Sequence, residues 1–148
     1  MTDSNWLHND DLVHVWTVPL SDKLSTPAVL LLSPDERERA ERFRFGEDRY
    51  RFVNCRAALR RILGHYLKTA PGDIRFRYSE FGKPELEASN AVGSLKFNVS
   101  HAGAIALIAV TRTNRVGVDV ELLSELPDLE SLAATSLSDG ELRRFRAV

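Results

Sequence analysis

Two carboxylates alternate with valines in the segment Val116-Gly117-Val118-Asp119-Val120-Glu121. In an extended segment the valines share one face, and Asp119 and Glu121 share the other with Gly117. Carboxylates two positions apart on a strand lie about 6–7 Å from each other, so their oxygens can meet at one ion. Mg²⁺ is the expected ion, because it needs only one or two carboxylates and completes its shell with water and phosphate. A half-exposed strand with a polar face would give the same pattern.

A second polar cluster, Asn98-Val99-Ser100-His101, ends an alternating apolar segment. Ser100 and a protonated His101 can each donate a hydrogen bond to a phosphate. They cannot act together as nucleophile and base, because adjacent strand residues point to opposite faces. Lys83, in the turn Phe81-Gly82-Lys83-Pro84, is a point charge on a backbone that the following proline restricts. Polar turns and ordinary surface residues remain the other interpretation of all three.

The net charge of -1 conceals a polarised chain. Residues 35–77 contain 12 basic and 7 acidic side chains, whereas residues 116–141 contain 7 acidic side chains and no Lys or Arg. Basic groups suit a phosphate-bearing ligand, and carboxylates suit the Mg²⁺ that accompanies it in phosphoryl-type transfer. The sequence has neither a P-loop nor a Rossmann glycine motif. Two solvated faces of opposite charge are the alternative.

The composition indicates one globular domain of 148 residues. It excludes a disordered tail, collagen, a coiled coil and a disulfide scaffold, and the lone Cys55 cannot form an internal bridge. The apolar runs are too short to cross a membrane, and the N-terminus is acidic and polar. We therefore expect a cytoplasmic protein with no membrane or nucleic-acid partner.

The elements that must position these groups follow from periodicity and turn signals. We predict a strand over 12–18, a Ser-, Thr- and Pro-rich linker, a helix over 34–45 that starts with a capping box, and a helix over 49–68. Strands are predicted through 74–78, 95–99, 104–110 and 116–121, with helical pieces over 127–148. This order indicates an α+β fold with a mostly antiparallel sheet.

Three arginines fall inside or beside the apolar arc of the longer predicted helix: Arg49, Arg56 and Arg60. An arginine in that position must either extend its side chain to water or meet an anion. Extension to water is the commoner outcome, so the helix alone does not predict an anion site.

Taken in order, the three motifs resemble those of the surfactin-type 4'-phosphopantetheinyl transferases. They are Phe81-Gly82-Lys83-Pro84, Phe97-Asn98-Val99-Ser100-His101 and Val116-Gly117-Val118-Asp119-Val120-Glu121. The arginine-rich segments 33–45 and 49–63, and the element Leu137-Ser138-Asp139-Gly140-Glu141, are also similar to that family. The resemblance implies a phosphopantetheinyl transferase-like α+β fold, with a first α/β subdomain over 1–118 and the beginning of a second over 119–148.

The resemblance also implies a function. Members transfer the 4'-phosphopantetheine arm of coenzyme A to a serine of an acyl or peptidyl carrier protein, with Mg²⁺. By position, Asp119 and Glu121 would bind the metal. The side chains that would contact coenzyme A are Arg39, Arg51, Lys83, Ser100 and His101, the two arginines through its phosphates. No residue is assigned as a catalytic acid or base.

One departure from the family pattern bears on activity. Members carry a W-x-x-K-E helix after the F-S-x-x-E element, and it supplies a third metal carboxylate and a lysine; this sequence ends before it. We expect a truncated chain, or a second copy that completes the site as in the short trimeric holo-acyl-carrier-protein synthases. Exposed apolar surface would then favour self-association.

Two alternatives to an enzyme remain open. One is a non-catalytic remnant that binds coenzyme A or a carrier protein, with little or no transfer activity. The other is a soluble domain whose acidic C-terminal segment docks a protein partner.

Overall fold

The computed structural model describes residues 12–80, 82–87, 95–112, 114–123 and 128–147. Helices and antiparallel strands both contribute, which confirms the predicted α+β class. The strands are β1 (Val13–Pro19), β2 (Phe76–Tyr78), β3 (Pro84–Leu86), β4 (Lys96–Ala102) and β5 (Ile105–Thr111). The helices are α1 (Thr26–Leu31), α2 (Pro34–Glu41), α3 (Gly46–Leu67), α4 (Leu129–Ser136) and α5 (Asp139–Phe145).

A three-stranded antiparallel sheet in the order β1-β5-β4 forms one layer, and α3 forms the other. Strand β5 occupies the centre because its run of apolar residues is buried on both sides. Strands β4 and β5 form a hairpin whose turn contains Gly103 at φ +54°, a conformation that L side chains rarely adopt. Strands β2 and β3 form a separate two-stranded hairpin.

Helix α3 supplies more buried apolar residues than any other described element. Its apolar residues recur at helical spacing and pack against β4, β5 and the segment that leads into β2. The core cluster comprises Leu59, Leu63, Tyr66, Leu67, Ile74, Leu95, Phe97, Ile108 and Val110. The helix starts at Gly46 rather than at the predicted residue 49 and ends at Leu67. Its last turn lies so close to the next segment that a Cβ on Gly64 would sit 2.7 Å from the Thr69 carbonyl oxygen.

Helix α2 begins as predicted, but it is shorter. The capping box is present, and the Ser33 backbone N–H donates to Glu36 Oε2 at 2.9 Å. The helix ends at Glu41 instead of residue 45, because the chain must turn there to start α3, for which Phe45 is the N-cap residue. The predicted linker also contains a short helix, α1, which has a proline in its first turn and buries Ala28.

The strand predicted over residues 116–121 is wrong. The alternation itself is present, since the three valines are half-buried and the residues between them are exposed. However, the segment pairs with side chains of β4 instead of its backbone: the Val118 N–H donates to Asn98 Oδ1 at 3.1 Å, and the Val120 N–H donates to Ser100 Oγ at 3.3 Å. Side-chain acceptors at alternate positions replace a backbone ladder.

The helical pieces predicted after residue 127 are observed as α4 and α5. Ser138 and Glu141 form a second capping box at the start of α5. The division between subdomains at residues 118 and 119 stays a prediction. Among the described residues, none of the helices combines the length and apolar character that crossing a bilayer requires.

Candidate functional site

A cavity of about 180 Å³ lies between α3, the β2–β3 hairpin and β4. We call it the helix-side cavity. On α3 its lining residues are spaced three and four positions apart, so they form one stripe along the helix. Strand β4 contributes Val99 and His101, which share the strand face opposite Ser100. The lining residues are Arg39, Phe52, Cys55, Arg56, Leu59, Gly82, Pro84, Val99 and His101.

A wider cavity of about 600 Å³, the outer cavity, adjoins the first and shares Arg39 and Gly82 with it. Its other lining residues are Asp35, Glu38, Arg42, Phe43 and Tyr78. Typical small-molecule sites occupy about 300–1,000 Å³. The two adjoining cavities are therefore large enough, taken together, for a ligand such as a nucleotide derivative.

A buried ion group joins α2 to α3 beneath these cavities. The side chains of Glu36 and Arg60 are 0% and 1% exposed, and Arg60 Nε donates to Glu36 Oε2 at 2.7 Å. Arg60 Nη1 also donates to the carbonyl oxygens of Pro71 and Ile74, each at 3.0 Å. Arg56 approaches the same carboxylate, with Nε 3.5 Å from Glu36 Oε1.

The commoner outcome for arginines on an apolar arc is that their side chains extend to water. The structure shows that this prediction is wrong for Arg56 and Arg60. Both are buried, and both meet an anion that is supplied by the chain itself. Glu36 serves twice, because the same carboxylate completes the capping box of α2. The sequence identifies Glu36 as a cap residue but gives no sign of a partner 24 positions away.

Cys55 lines the helix-side cavity next to Arg56. Burial raises the pKa of its thiol from 9.0 to about 11, although the neighbouring Arg56 guanidinium acts in the opposite direction. The thiol is therefore protonated at neutral pH. It contributes apolar lining to the cavity rather than a thiolate nucleophile.

The carboxylate segment lies against the outer face of β4. Ser100 Oγ donates to Asp119 Oδ1 at 2.6 Å and accepts the Val120 N–H, so one serine fixes both the carboxylate and its backbone. Asp119 and Glu121 are both exposed. Within the described residues, no group of three or more His, Cys, Asp or Glu side chains is placed to hold a metal. A set of two carboxylates with open positions fits Mg²⁺, which retains water and phosphate ligands.

The structure brings only some of the seven predicted site residues together. Arg39 and His101 share the helix-side cavity, and Ser100 and Asp119 are hydrogen-bonded on the opposite face of β4. Arg51 pairs with Glu47 at 3.1 Å and with Asp48 at 3.6 Å on its own helix.

Lys83 lines a third space, a cavity of about 230 Å³ that we call the hairpin cavity. Its other lining residues are Arg77, Pro84, Glu85, Leu86, Leu95, Lys96, Phe97, Arg115 and Val116. Phe81, which belongs to the same motif as Lys83, lies outside the described part of the chain. Lys83 and Arg39 are thus assigned to different cavities.

Comparison with known proteins adds independent evidence. The sequence model of the family described as "4'-phosphopantetheinyl transferase, N-terminal" matches residues 15–113, more than half of the chain. The chain belongs to this family. The matched range contains α1, α2, α3, strands β4 and β5 and most of β1, together with every residue that lines the helix-side cavity.

Named relatives agree with the family match. The 4'-phosphopantetheinyl transferase HetI of Nostoc sp. is 46% identical over 140 residues, which is 93% of this chain and 59% of HetI. The phosphopantetheinyl transferase of Thraustochytrium sp. is 32% identical over 101 residues, covering 68% of this chain and 35% of that protein. The 4'-phosphopantetheinyl transferase Sfp of Bacillus subtilis is 29% identical over 103 residues, covering 70% and 44%. The chain thus spans about half the length of the curated relatives it matches.

Sequence reasoning did not assign Arg56 to the site. The sequence does show one feature that could have pointed to it, which is the position of Arg56 on the apolar arc of α3. What the sequence does not show is that the β2–β3 hairpin closes over this part of the helix, as the contacts of Arg56 with Phe76 and Tyr78 demonstrate.

Proposed function

We propose that this chain binds coenzyme A in the helix-side and outer cavities and takes part in transferring 4'-phosphopantetheine to a carrier-protein serine. One observation carries the proposal. Arg39 and His101, on separate elements and predicted as phosphate-binding residues, line a single cavity beside the strand that holds Asp119. Family membership and the named transferase relatives support the same chemistry.

The reaction itself needs positioned charge more than covalent catalysis. The serine oxygen forms a bond to the phosphorus that carries pantetheine, and the diphosphate P–O bond breaks. Adenosine 3',5'-bisphosphate leaves, and the serine hydroxyl loses its proton. Arg39 and a protonated His101 would hold the phosphates of coenzyme A through charge-assisted hydrogen bonds.

Asp119 and Glu121 would hold Mg²⁺, which neutralises phosphate charge when bound. The Ser100 hydroxyl proton is engaged with Asp119, so we assign Ser100 first to orienting that carboxylate. A direct bond from Ser100 to a phosphate would require the hydroxyl to rotate away. Lys83 and Arg51 remain proposed phosphate contacts, although neither lines the helix-side cavity.

A second candidate is a non-catalytic protein of this family that binds coenzyme A or a carrier protein. It is favoured by the acidic side chains, since no group of three or more His, Cys, Asp or Glu side chains among the described residues is placed to hold a metal. Binding would persist in this case, because it depends on the cations of the cavity. Transfer of phosphopantetheine would not persist, because it also requires the metal to be held in a fixed position beside the reacting phosphate.

Calorimetry with the 148-residue chain tests the proposal. Coenzyme A should bind in the presence of Mg²⁺, more weakly at high salt, and Asp119→Ala should reduce the Mg²⁺-dependent part of the affinity by about tenfold or more. Asp128→Ala, which removes another exposed carboxylate before α4, is the matched control and should leave the affinity unchanged.

Mass spectrometry of an apo carrier protein then separates the two candidates. Incubation with the chain, coenzyme A and Mg²⁺ should add the phosphopantetheine arm if the chain is a transferase. Binding without any labelling would favour the non-catalytic candidate. Absence of coenzyme A binding would contradict both.

A further inference from the structure

Arg56 is a buried cation whose hydrogen bonds are incomplete. Its side chain is 10% exposed, yet Nη1 has no hydrogen-bond partner within the described part of the chain. The Glu36 oxygen nearest to Arg56, Oε1, likewise accepts no hydrogen bond, and it lies 3.5 Å from Arg56 Nε. A buried hydrogen-bond donor without an acceptor costs free energy. An arginine in this state therefore points to an acceptor supplied by a bound ligand.

The charge balance of the buried ion group points the same way. Arg60 satisfies Glu36 Oε2 and two carbonyl oxygens, so this arginine and this carboxylate form a neutral, well-bonded pair. Arg56 is then a second cation beside a carboxylate that is already neutralised. The three side chains together carry a net charge of +1, which is unfavourable to bury unless an anion accompanies it.

The guanidinium of Arg56 is also held in a fixed orientation. Its central carbon lies 5.5 Å from the ring centre of Phe52, 5.6 Å from that of Phe76 and 6.0 Å from that of Tyr78. These rings come from α3 and β2, so the side chain is held between two elements. An immobilised cation loses little further entropy when it binds a ligand.

We propose that Arg56 binds a phosphate group of coenzyme A at the inner end of the helix-side cavity. This inference rests on the proposed function and adds a contact residue to it. Arg39 and His101 line the same cavity, so a phosphate there meets two arginine guanidinium groups and an imidazole. The cavity of about 180 Å³ is small for a whole nucleotide, whereas the adjoining outer cavity of about 600 Å³ has room for the rest of the ligand.

A purely structural role for Arg56 makes a different prediction. If the side chain only packed the rings and Glu36, its removal would destabilise the ligand-free chain and leave the affinity of the folded fraction unchanged. If it is a surplus cation kept for a phosphate, Arg56→Met leaves the neutral Glu36–Arg60 pair in place. The ligand-free chain should then melt at an unchanged or higher temperature and bind coenzyme A more weakly.

The experiment compares Arg56→Met, Arg56→Lys and the control Arg61→Met, which changes an exposed arginine of the same helix. Thermal unfolding is measured without ligand, and coenzyme A binding is measured by calorimetry. Arg56→Met should weaken binding by at least about tenfold, the loss expected for one charge-assisted hydrogen bond. Arg56→Lys should restore part of it, because lysine keeps the charge but not the planar fork. Arg61→Met should match the wild-type chain.

Dephospho-coenzyme A distinguishes the two phosphate sources. If Arg56 contacts the 3'-phosphate, only the affinity for coenzyme A falls in Arg56→Met. If it contacts the diphosphate, both ligands lose affinity equally. Either result supports the inference, whereas an unchanged affinity for both ligands in a folded Arg56→Met overturns it and leaves the proposed function intact.

Failure of the proposed function is a separate outcome, in which the wild-type chain does not bind coenzyme A at all. That outcome removes coenzyme A as the ligand of Arg56, and titration with inorganic phosphate, followed by the NMR signal of Arg56 Nε in the wild-type chain, then tests whether Arg56 is a phosphate site. The same titration applies if Arg56→Met does not fold. A saturable shift of that signal, absent from Arg61, supports a phosphate site at Arg56, and no shift overturns it.

Discussion

Two cation-lined cavities flank the β2–β3 hairpin, and they differ in how their charges are held. In the hairpin cavity, Lys83, Lys96 and Arg115 are exposed, and Arg77 pairs with Glu85 at 3.0 Å. In the helix-side cavity, Arg56 is buried, and its Nη1 has no hydrogen-bond partner among the described residues. Water satisfies an exposed cation at little cost, whereas a buried cation needs partners from the chain, as Arg60 has, or a bound ligand, as we propose for Arg56. Burial, rather than the number of positive charges, distinguishes the two cavities.

The largest effect expected from this contrast is on stability. Arg60→Met removes the hydrogen-bonded partner of buried Glu36 and leaves two carbonyl oxygens without a donor. We expect the free energy of unfolding to fall by about 3–5 kcal/mol, measured by urea denaturation. Lys96→Met, the matched change in the hairpin cavity, should alter it by no more than about 0.5 kcal/mol. Equal losses of unfolding free energy in the two variants would show that burial does not determine how much these cations contribute to stability.

The second effect is on the reactivity of the Cys55 thiol, which lines the helix-side cavity next to Arg56. With its pKa raised by burial to about 11, the thiolate fraction at pH 8 should be about 100-fold lower than at the ordinary value of 9.0. Alkylation by iodoacetamide should therefore be at least that much slower in the folded chain than in urea.

The pH dependence of the Cys55 effect has a defined sign. Because folding keeps this thiol protonated, its contribution to stability is complete below pH 9 and is lost as pH rises through about 11. Comparable alkylation rates for the folded and unfolded chains at pH 8 would show that the thiol is accessible and ionised. They would then contradict the assignment of Cys55 as a buried, protonated thiol of the helix-side cavity.

The smallest effect should come from Lys83. As an exposed cation of the hairpin cavity, it should contribute about 0.2–1 kcal/mol to coenzyme A binding, so Lys83→Ala should weaken affinity by no more than about fivefold. Calorimetry with Lys96→Ala as the control measures this difference. A loss as large as that of Arg56→Met would instead mean that coenzyme A reaches across the hairpin and uses both cavities.

Local sequence signals predicted the helices and strands that have strong local causes. The apolar period of α3, the capping box at Ser33, the alternation of β1 and β4 and the continuous apolar run of β5 are all read from neighbouring residues, and each corresponds to an observed element. Errors occurred at element ends, such as the end of α2 at Glu41, where the next element decides the path. Helix α1 was missed because its six residues give too short a period to detect.

The site was less predictable because long-range contacts decide it. Arg39 and His101 line one cavity although they lie far apart in sequence, and the family resemblance had named both as candidate coenzyme A contacts, which stays a prediction. The partner of Arg60 and the incomplete bonding of Arg56 depend on how α2 packs against α3, which periodicity does not reveal. Residues 116–121 show the same limit, since their alternation is correct but their hydrogen bonds go to the side chains of Asn98 and Ser100.

The attachment of that carboxylate segment has a mechanical consequence. Among the described residues, the side chains of Asn98 and Ser100 hold its backbone to β4, so it can shift by rotation about side-chain bonds while every backbone bond between β4 and β5 remains intact. Local opening of this kind costs far less free energy than unfolding of the sheet. The fold thereby separates a rigid platform, which carries His101, from an adjustable arm, which carries Asp119 and Glu121.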